Sequence, residues 1–173
     1  MKVGIIGSGG REHAICISLI KSKKVKEIYC FPGNAGTSLM AKNIDLNLEN
    51  FEELKNTIKK VGIDIVIVGP EKPLVDGIVE FLEKNQIKVF GPNKIASQLE
   101  GSKIFTKNIC KNYNIPTANF GIFNTIEDSL FYLEKCEHPI VVKADGLAAG
   151  KGVYICEDIK QSTEAVKEIF NGK

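Results

Sequence analysis

The sequence has almost no excess of charge of one sign. Its 173 residues carry 23 lysines and arginines against 21 aspartates and glutamates, which gives a formal net charge of +2. Proteins that bind nucleic acid or a membrane surface concentrate basic side chains into patches, and this balance does not favour either class. We therefore expect small-molecule partners, with no nucleic acid and no membrane among them. The oligomeric state stays open.

The sequence also shows no long apolar run, no signal-peptide pattern and no pattern of paired cysteines. No apolar run approaches the length of about 18 residues that a membrane span needs, and Met1 leads directly into a strand-like segment without the features of a signal peptide. The five cysteines contain no Cys-x-x-Cys pair, so neither a disulfide framework nor a zinc site is expected. We expect reduced thiols, a cytoplasmic protein and no metal ligands in this chain.

Arginine is nearly absent, since Arg11 is the only one among the 23 basic residues. A guanidinium group offers a rigid planar fork that a lysine ammonium group cannot imitate. Arg11 therefore marks a position where hydrogen-bond geometry counts, with chance as the alternative explanation.

What the sequence does contain is an alternation of strand-like and helical segments. Apolar runs that end in Gly or Pro loops predict strands at 3–6, 28–31, 63–68 and 88–90. Helical periodicity lies between them: Phe51, Leu54, Ile58 and Val61 behind a cap at Asn50, then Leu74, Ile78 and Leu82. This alternation predicts an α/β fold with a doubly wound, Rossmann-like parallel sheet.

The pattern changes after Gly91-Pro92, which indicates a domain junction. Two helical stretches follow, around 95–99 and 103–111, with Gly101 between them. Beyond them we expect a helix over 126–133 capped by Thr125, two strands that flank a glycine-rich loop, and a last helix over 159–170. The predicted domains are residues 1–100 and residues 101–173.

The first glycine-rich loop has the sequence Gly-Ser-Gly-Gly-Arg-Glu-His at 7–13 and joins the first strand to a helix. Glycines let backbone N–H groups approach a ligand, and a helix N-terminus carries partial positive charge, so we expect an anion here. The alternative is a tight turn that only packs helix against strand. The helix is expected to be buried, because residues 14–20 are apolar on nearly every side.

Two details count against a dinucleotide at this loop. The fingerprint Gly-x-Gly-x-x-Gly would need glycine where Glu12 stands. An acidic residue should also end the second strand to hold a ribose hydroxyl, whereas the sequence there is Phe-Pro-Gly-Asn at 31–34. A single phosphate ester on a sugar fits better.

Two further loops are expected at the same edge of the sheet, because ligands in such folds bind beyond the carboxyl ends of the strands. They are residues 32–37 and 69–77. Asn34 and Glu71 offer polar groups that suit a ribose or an amine. The alternatives are that Asn34 only fills a left-handed turn position and that Glu71 only favours a helix start.

The second glycine-rich loop, residues 143–152, is not a Walker A loop. The first glycine of that motif would fall on Asp145 and its Ser/Thr on Gly152, and the flanking segments predict strand-loop-strand. A glycine hairpin with Lys143 and Lys151 is typical of a lid over nucleotide phosphates. A solvent-exposed hairpin is the alternative, although Lys143, embedded between apolar residues, is expected to need a counter-charge.

Taken in order, these motifs resemble the phosphoribosylamine-glycine ligase family, also called glycinamide ribonucleotide synthetase, over the whole chain. The motifs are Gly-Ser-Gly-Gly-Arg-Glu-His at 7–13, Pro-Gly-Asn-Ala-Gly-Thr at 32–37, Gly-Pro-Glu-Lys-Pro-Leu-Val at 69–75, Leu-Glu-Gly-Ser-Lys at 99–103, Phe-Thr-Lys at 105–107, and Lys-Ala-Asp-Gly-Leu-Ala-Ala-Gly-Lys-Gly at 143–152.

The resemblance implies an ATP-grasp ligase that joins glycine to 5-phosphoribosylamine through a glycyl phosphate. It makes residues 1–100 a Rossmann-like substrate-binding domain and residues 101–173 the start of the ATP-grasp domain, with a linker helix and an incomplete small lobe. The substrate-binding residues it implies are Gly7, Ser8, Gly9, Gly10, Arg11, Glu12, Asn34, Gly36 and Glu71. Those it implies for ATP are Lys103, Lys143, Gly146, Gly150, Lys151 and Gly152.

Family members continue past this point, so the ligands for Mg²⁺ or Mn²⁺ are expected beyond Lys173. No complete catalytic set is expected in this chain, and the chain alone is expected to be inactive. Three alternatives stay open: another ATP-grasp enzyme such as a ribonucleotide or biotin carboxylase, a non-catalytic sugar-phosphate or nucleotide-binding module, and a dinucleotide oxidoreductase.

Overall fold

The computed structural model describes residues 1–148 and 151–172. The chain divides into two compact units, Met1–Gly101 and Ser102–Lys173. The elements of the first unit are β1 (Lys2–Gly7), α1 (Gly10–Leu19), β2 (Glu27–Pro32), a 3₁₀ turn (Thr37–Leu39), β3 (Lys42–Asn43), α2 (Phe51–Val61), β4 (Ile65–Val68), α3 (Glu71–Asp76), α4 (Ile78–Lys84), β5 (Val89–Phe90) and α5 (Lys94–Gly101). Those of the second unit are α6 (Lys103–Asn112), α7 (Ile126–Leu133), β6 (Ile140–Lys143), β7 (Val153–Cys156) and α8 (Ile159–Phe170).

The first unit is built on a parallel sheet of five strands in the order β3-β2-β1-β4-β5. Strand β1 lies at its centre, where Val3 pairs with Ile28 on one side and with Ile65 on the other. The chain fills one half of the sheet and then returns to fill the other, so the strand order reverses between β1 and β4. The predicted doubly wound, Rossmann-like α/β fold is confirmed.

Apolar side chains cover both faces of this sheet. On one face α2 and α4 contribute Leu54, Ile58 and Leu82, which are at most 1% exposed and pack with Phe31 of β2. On the other face a smaller cluster joins Cys16 of α1 to the strands. Strands buried on both faces must be apolar along their whole length, which explains the continuous apolar runs of the sequence.

Three features of the first unit differ from the sequence-based expectations. The edge strand β3 has only two exposed residues and therefore left no apolar run to detect. The helix expected across Leu74–Leu82 is broken into α3 and α4 at Gly77, whose φ of +97° places it in the left-handed region that favours glycine. Helix α1 is only partly buried: Cys16 is fully buried, whereas Ile17 and the C-cap residue Ile20 are 39% and 51% exposed.

The second unit pairs β6 with β7 in an antiparallel hairpin, and α7 and α8 pack together, with α8 against the hairpin. The cap expected at Thr125 forms, since Thr125 accepts a hydrogen bond from the Asp128 N–H. Asp158 also caps α8, by accepting a hydrogen bond from the Gln161 N–H. On the hairpin, Val141 and Ile155 oppose each other and are 51% and 72% exposed. One face of the hairpin is therefore apolar and open in this unit.

A cluster of charges on β1, β2 and β3 leads to a prediction about pH. The Nζ atom of Lys42 lies 2.6 Å from Oε2 of Glu27, and the Tyr29 hydroxyl donates to the same oxygen at 2.8 Å. Lys42 first, and then Tyr29, lower the pKa of Glu27 to about 2. Because this pKa is lower in the folded chain than in the unfolded one, the stabilisation is complete above about pH 4.3 and is lost as the pH falls through 2.

An NMR titration of the Glu27 carboxyl group measures this pKa directly. The substitution Lys42→Gln is expected to raise it toward its ordinary value, while Lys84→Gln, which alters a lysine on a different element, serves as the control. A midpoint near pH 4 in the unsubstituted chain would contradict the ion pair.

Across the described residues, no helix combines the length and the apolar character needed to cross a membrane.

Candidate functional site

The loop between β1 and α1 leaves backbone donors without partners. Gly9 is the N-cap of α1, and having no side chain it cannot cap the first turn. Its own N–H donates to Oε2 of Glu12 at 2.5 Å. Within the described part of the chain, no acceptor is recorded for the N–H groups of Gly10 and Arg11. Open N–H groups at a helix N-terminus attract an anion.

The protein itself gives no reason for glycine at position 10. Gly10 is exposed, its φ is not in the left-handed region, and a Cβ placed on it would meet nothing within 4 Å. In contrast, Gly7 has a φ of +124° and a Cβ there would lie 2.7 Å from Cδ of Glu12. The space beside the Gly10 backbone is therefore open to solvent.

Asn34 ties the 32–37 loop to the 7–10 loop. Its Nδ2 donates to the Ser8 carbonyl oxygen at 2.8 Å and to the Gly9 carbonyl oxygen at 3.3 Å. Its Oδ1 accepts from the Thr37 N–H at 3.0 Å. The backbone of Asn34 is not left-handed, so that alternative is wrong. The side chain braces the two loops, and its contact with a ribose stays a prediction.

Sequence reasoning missed the residues that hold Asn34 in place. Thr37 is fully buried, its Oγ1 accepts from the Asn34 N–H at 2.8 Å, and the same atom lies 2.9 Å from both the Asn34 carbonyl oxygen and Oδ1 of Asn43. Gly36 makes room for His13, because a Cβ on Gly36 would lie 2.8 Å from the imidazole ring. A threonine three residues after an asparagine in a turn was the available signal.

Arg11 at the start of α1 and Glu71 at the start of α3 form an ion pair. Nη2 of Arg11 lies 2.8 Å from Oε1 of Glu71, the first residue of α3, and the side chains are 65% and 34% exposed. The backbone N–H of Glu71 and then Arg11 hold the pKa of that carboxyl group below its ordinary value. The hydrogen bond to Glu71 raises the pKa of Arg11. The structure thus brings together two residues that the sequence placed at one site.

Glu12, also expected among the substrate-binding residues, lies behind the loop. It is only 3% exposed and is surrounded by glycines of the two loops that follow β1 and β4. Its burial leaves Gly9, Gly10, Ser8 and Arg11 as the accessible residues of the first loop.

In the second unit, the start of the glycine-rich loop is fastened to the N-terminus of α6. The Asp145 carboxylate accepts from the Ser102 hydroxyl at 3.0 Å and from the Ile104 N–H at 3.1 Å. Burial alone would raise the pKa of Asp145, but these hydrogen bonds outweigh it and lower the pKa. Nζ of Lys103 donates to the Gly146 carbonyl oxygen at 2.8 Å. Lys103 therefore lies at this loop, and its contact with a phosphate stays a prediction.

Lys143 lies on the open face of the hairpin and is not embedded as its neighbours in the sequence suggested. Strand alternation places it beside Val141 on the exposed side, opposite Val153. Among the described residues no hydrogen bond or ion pair is recorded for its ammonium group, so the expected counter-charge is not supplied by this part of the chain. Lys151 is also exposed.

Two glycines of this loop have a left-handed backbone. Gly146 and Gly152 have φ values of +90° and +71°, and the Ala144 N–H donates to the Gly152 carbonyl oxygen at 2.8 Å. Gly150, expected among the ATP-binding residues, lies outside the described residues.

Models of known protein families match both parts of the chain. Residues 1–100 match the N domain of phosphoribosylglycinamide synthetase, and residues 101–173 match the ATP-grasp (A) domain of the same enzyme. The chain belongs to the phosphoribosylglycinamide synthetase family. The resemblance inferred from the motifs is confirmed.

Curated relatives carry the name phosphoribosylamine-glycine ligase. The protein of Clostridium acetobutylicum is 52% identical over 99% of this chain, and that of Caldanaerobacter subterraneus is 47% identical over 96%. These alignments cover 42% and 40% of the two relatives, so the chain spans about two fifths of their length.

Solved structures give the same fold. The crystal structure of phosphoribosylamine-glycine ligase from Thermotoga maritima matches 95% of this chain and 38% of its own length, with a TM-score of 0.75 and 36% identity. N5-carboxyaminoimidazole ribonucleotide synthetase from Thermus thermophilus matches 96% of this chain and 44% of its own length, with a TM-score of 0.71. At 18% identity this second likeness shows the fold alone.

Proposed function

We propose that this chain provides the sugar-phosphate site and part of the nucleotide site of an ATP-dependent ligase for purine biosynthesis. In the proposed reaction, the carboxylate of glycine takes the γ-phosphoryl group of ATP, which releases ADP. The amine of 5-phosphoribosylamine then attacks the glycyl carbonyl carbon, phosphate leaves, and glycinamide ribonucleotide forms. The part of this chain is to hold the reacting groups in place and to balance phosphoryl charge.

The proposed sugar-phosphate site rests on two observations at Gly10. Its N–H and that of Arg11 have no recorded acceptor in the described chain, and its missing side chain serves no internal packing. A phosphate ester here would accept from these N–H groups at the positive end of α1. Asn34 supports the loop from behind through the Ser8 and Gly9 carbonyl oxygens. Gly36 and Glu71 complete the proposed substrate-binding set.

The nucleotide site is proposed on the second unit. The open face of the hairpin combines the ammonium group of Lys143 with apolar Val141, Val153 and Ile155. A nucleotide needs both kinds of contact, because its phosphates require positive charge and its base requires an apolar surface. Lys103 and Lys151, with the glycine loop from Gly146 to Gly152, are proposed for the phosphates.

Mg²⁺ or Mn²⁺ belongs to the proposed reaction, since a divalent cation neutralises charge on the transferred phosphoryl group. No residue of 1–148 or 151–172 is assigned to it, because these ranges contain no group of three or more His, Cys, Asp or Glu able to hold a metal. We also propose a cytoplasmic location. The buried thiols of Cys16 and Cys30, with Sγ atoms 3.4 Å apart and unbonded, fit a reducing compartment.

The substitution Gly10→Ala tests the sugar-phosphate site. The added methyl group occupies space that the protein leaves open, so the fold is expected to keep or slightly gain stability, by about 0.5 kcal/mol, because alanine favours a helix over glycine. Binding of ribose 5-phosphate, measured by titration calorimetry, is expected to weaken about tenfold or more as the methyl group blocks approach to the N–H groups.

Ser18→Ala, on an exposed position of the same helix, is the matched control and is expected to bind like the unsubstituted chain. Equal affinity in the Gly10→Ala chain, or no binding by the unsubstituted chain, would overturn the site.

A further inference from the structure

The strand order of the first unit reverses between β1 and β4. In doubly wound folds this reversal opens a crevice beyond the carboxyl ends of the two strands, and the pyrophosphate of a dinucleotide lies in it. The walls of that crevice in this chain are the 7–10 loop after β1 and Gly69-Pro70 after β4. The side chain of Glu12 lies between them.

Glycines on both walls make room for the Glu12 carboxyl group. A Cβ placed on Gly69 would overlap Oε1 of Glu12 and would lie 2.6 Å from its Cδ. From the other wall, a Cβ on Gly7 would lie 2.7 Å from Cδ, and one on Gly9 would lie 2.9 Å from Oε2. The carboxyl group therefore fills the space between the two loops, and only 3% of the residue is exposed.

The Glu12 carboxylate is also a poor neighbour for a second phosphate. Its Oε2 accepts from the Gly9 N–H, while its buried Oε1 has no hydrogen-bond partner in the described structure. Like charges a few ångströms apart repel strongly where water is excluded. Toward the surface, the Arg11 side chain reaches across the same crevice to Glu71 at 2.8 Å. A pyrophosphate would have to displace both groups.

We propose that Glu12 is a specificity-determining residue that closes the crevice at the strand reversal, so that the first loop accepts a single phosphate ester and excludes the pyrophosphate of a dinucleotide. The inference rests on the proposed function in one respect, the binding of a sugar phosphate at Gly10 and Arg11. Glu12 excludes the dinucleotide because its side chain fills the crevice behind the loop, and it makes no direct contact with the sugar phosphate.

The test follows the amide NMR signals of Gly10 and Arg11 while the 173-residue chain is titrated with ribose 5-phosphate or with ADP-ribose. Reading these two amides restricts the measurement to the first loop, so ADP-ribose bound on the second unit does not count. In the unsubstituted chain, ADP-ribose is expected to bind at least about tenfold more weakly than ribose 5-phosphate. In Glu12→Ala the ratio of the two affinities is expected to shift at least about tenfold toward ADP-ribose.

Two further variants separate filling of the crevice from folding. Glu12→Gln keeps the volume of the side chain but removes its charge, so it is expected to shift the ratio less than Glu12→Ala does. Glu12→Asp is one methylene shorter, and it is expected to shift the ratio in the same direction as Glu12→Ala by a smaller factor, so it serves if the alanine chain does not fold. Thermal unfolding checks each variant.

An unchanged ratio in both shortened variants would contradict the proposed role of Glu12 but would leave the sugar-phosphate site standing. Tight ADP-ribose binding by the unsubstituted chain at these amides would have the same meaning. If ribose 5-phosphate leaves both amide signals unmoved in the unsubstituted chain, the proposed sugar-phosphate site fails together with this inference.

Discussion

Gly69→Ala is expected to lower the free energy of unfolding of the first unit by about 3 kcal/mol, the upper end of the usual cost of overpacking. The new Cβ would lie 2.6 Å from Cδ and 2.7 Å from Cγ of Glu12. The Glu12 side chain cannot retreat, because Gly7 and Gly9 already approach it from the other wall of the crevice. For a unit of this size the midpoint of thermal unfolding should fall by roughly 4–8 °C per kcal/mol.

A double substitution tests the cause of this effect. Glu12→Ala removes the carboxyl group that the new methyl group meets, so Gly69→Ala should cost much less in a chain that already carries Glu12→Ala. The difference between the two costs is a coupling energy, which we expect to exceed about 1 kcal/mol. Gly10→Ala is the matched control, since a Cβ there meets nothing within 4 Å. Additive effects of the two substitutions would contradict the packing described for Glu12.

The parts of the fold that were predictable from the sequence are those set by local patterns. β1, β2 and β4 read as apolar runs because both faces of the sheet are covered. Helix α2 was predictable because Asn50 accepts a hydrogen bond from the Glu53 N–H, as the capping pattern indicated. Helix α7 matches its predicted bounds for the same reason, since Thr125 caps it, and α8 also matches its predicted bounds.

The parts that were not predictable depend on contacts between distant positions. The apolar surface of α1 suggested burial, but the sheet covers only part of that helix, and nothing in residues 14–20 gives the direction of its exposed side. Gly77 could have been tolerated inside one helix, and its left-handed backbone is visible only in the fold. The two residues of β3 join the sheet through β2 and have no apolar pattern of their own.

The candidate site was also predictable only in part. Glycine spacing located the two loops and their general chemistry. The contacts that hold these loops could not be predicted from the sequence. Asn34 contacts Ser8, which is 26 positions away, and Glu12 contacts Gly69 across the crevice. Lys143 looked embedded because its sequence neighbours are apolar, whereas strand alternation turns it to the open face.

Thr37→Val is expected to lower the free energy of unfolding by about 1–3 kcal/mol, the usual cost when buried hydrogen-bonding groups lose a partner. Valine has nearly the shape of threonine, so the effect isolates the hydroxyl group. Thr37 is fully buried, and its Oγ1 serves the Asn34 N–H at 2.8 Å and lies 2.9 Å from Oδ1 of Asn43. Without the hydroxyl, the part-buried N–H of Asn34 loses its partner.

The same substitution should weaken the sugar-phosphate site, because Asn34 supports the first loop through the Ser8 and Gly9 carbonyl oxygens. We expect ribose 5-phosphate to bind about tenfold more weakly to the Thr37→Val chain, although Thr37 itself is buried and cannot touch the ligand. Thr37→Ser is the matched control: it keeps the hydroxyl, loses one methyl group at a cost of about 1 kcal/mol, and should keep the affinity. Calorimetry and thermal unfolding of the two variants separate the outcomes. If the serine chain loses affinity as much as the valine chain, packing of the methyl group and not the hydrogen bonds of Thr37 holds the loop, and the role given to Asn34 is wrong.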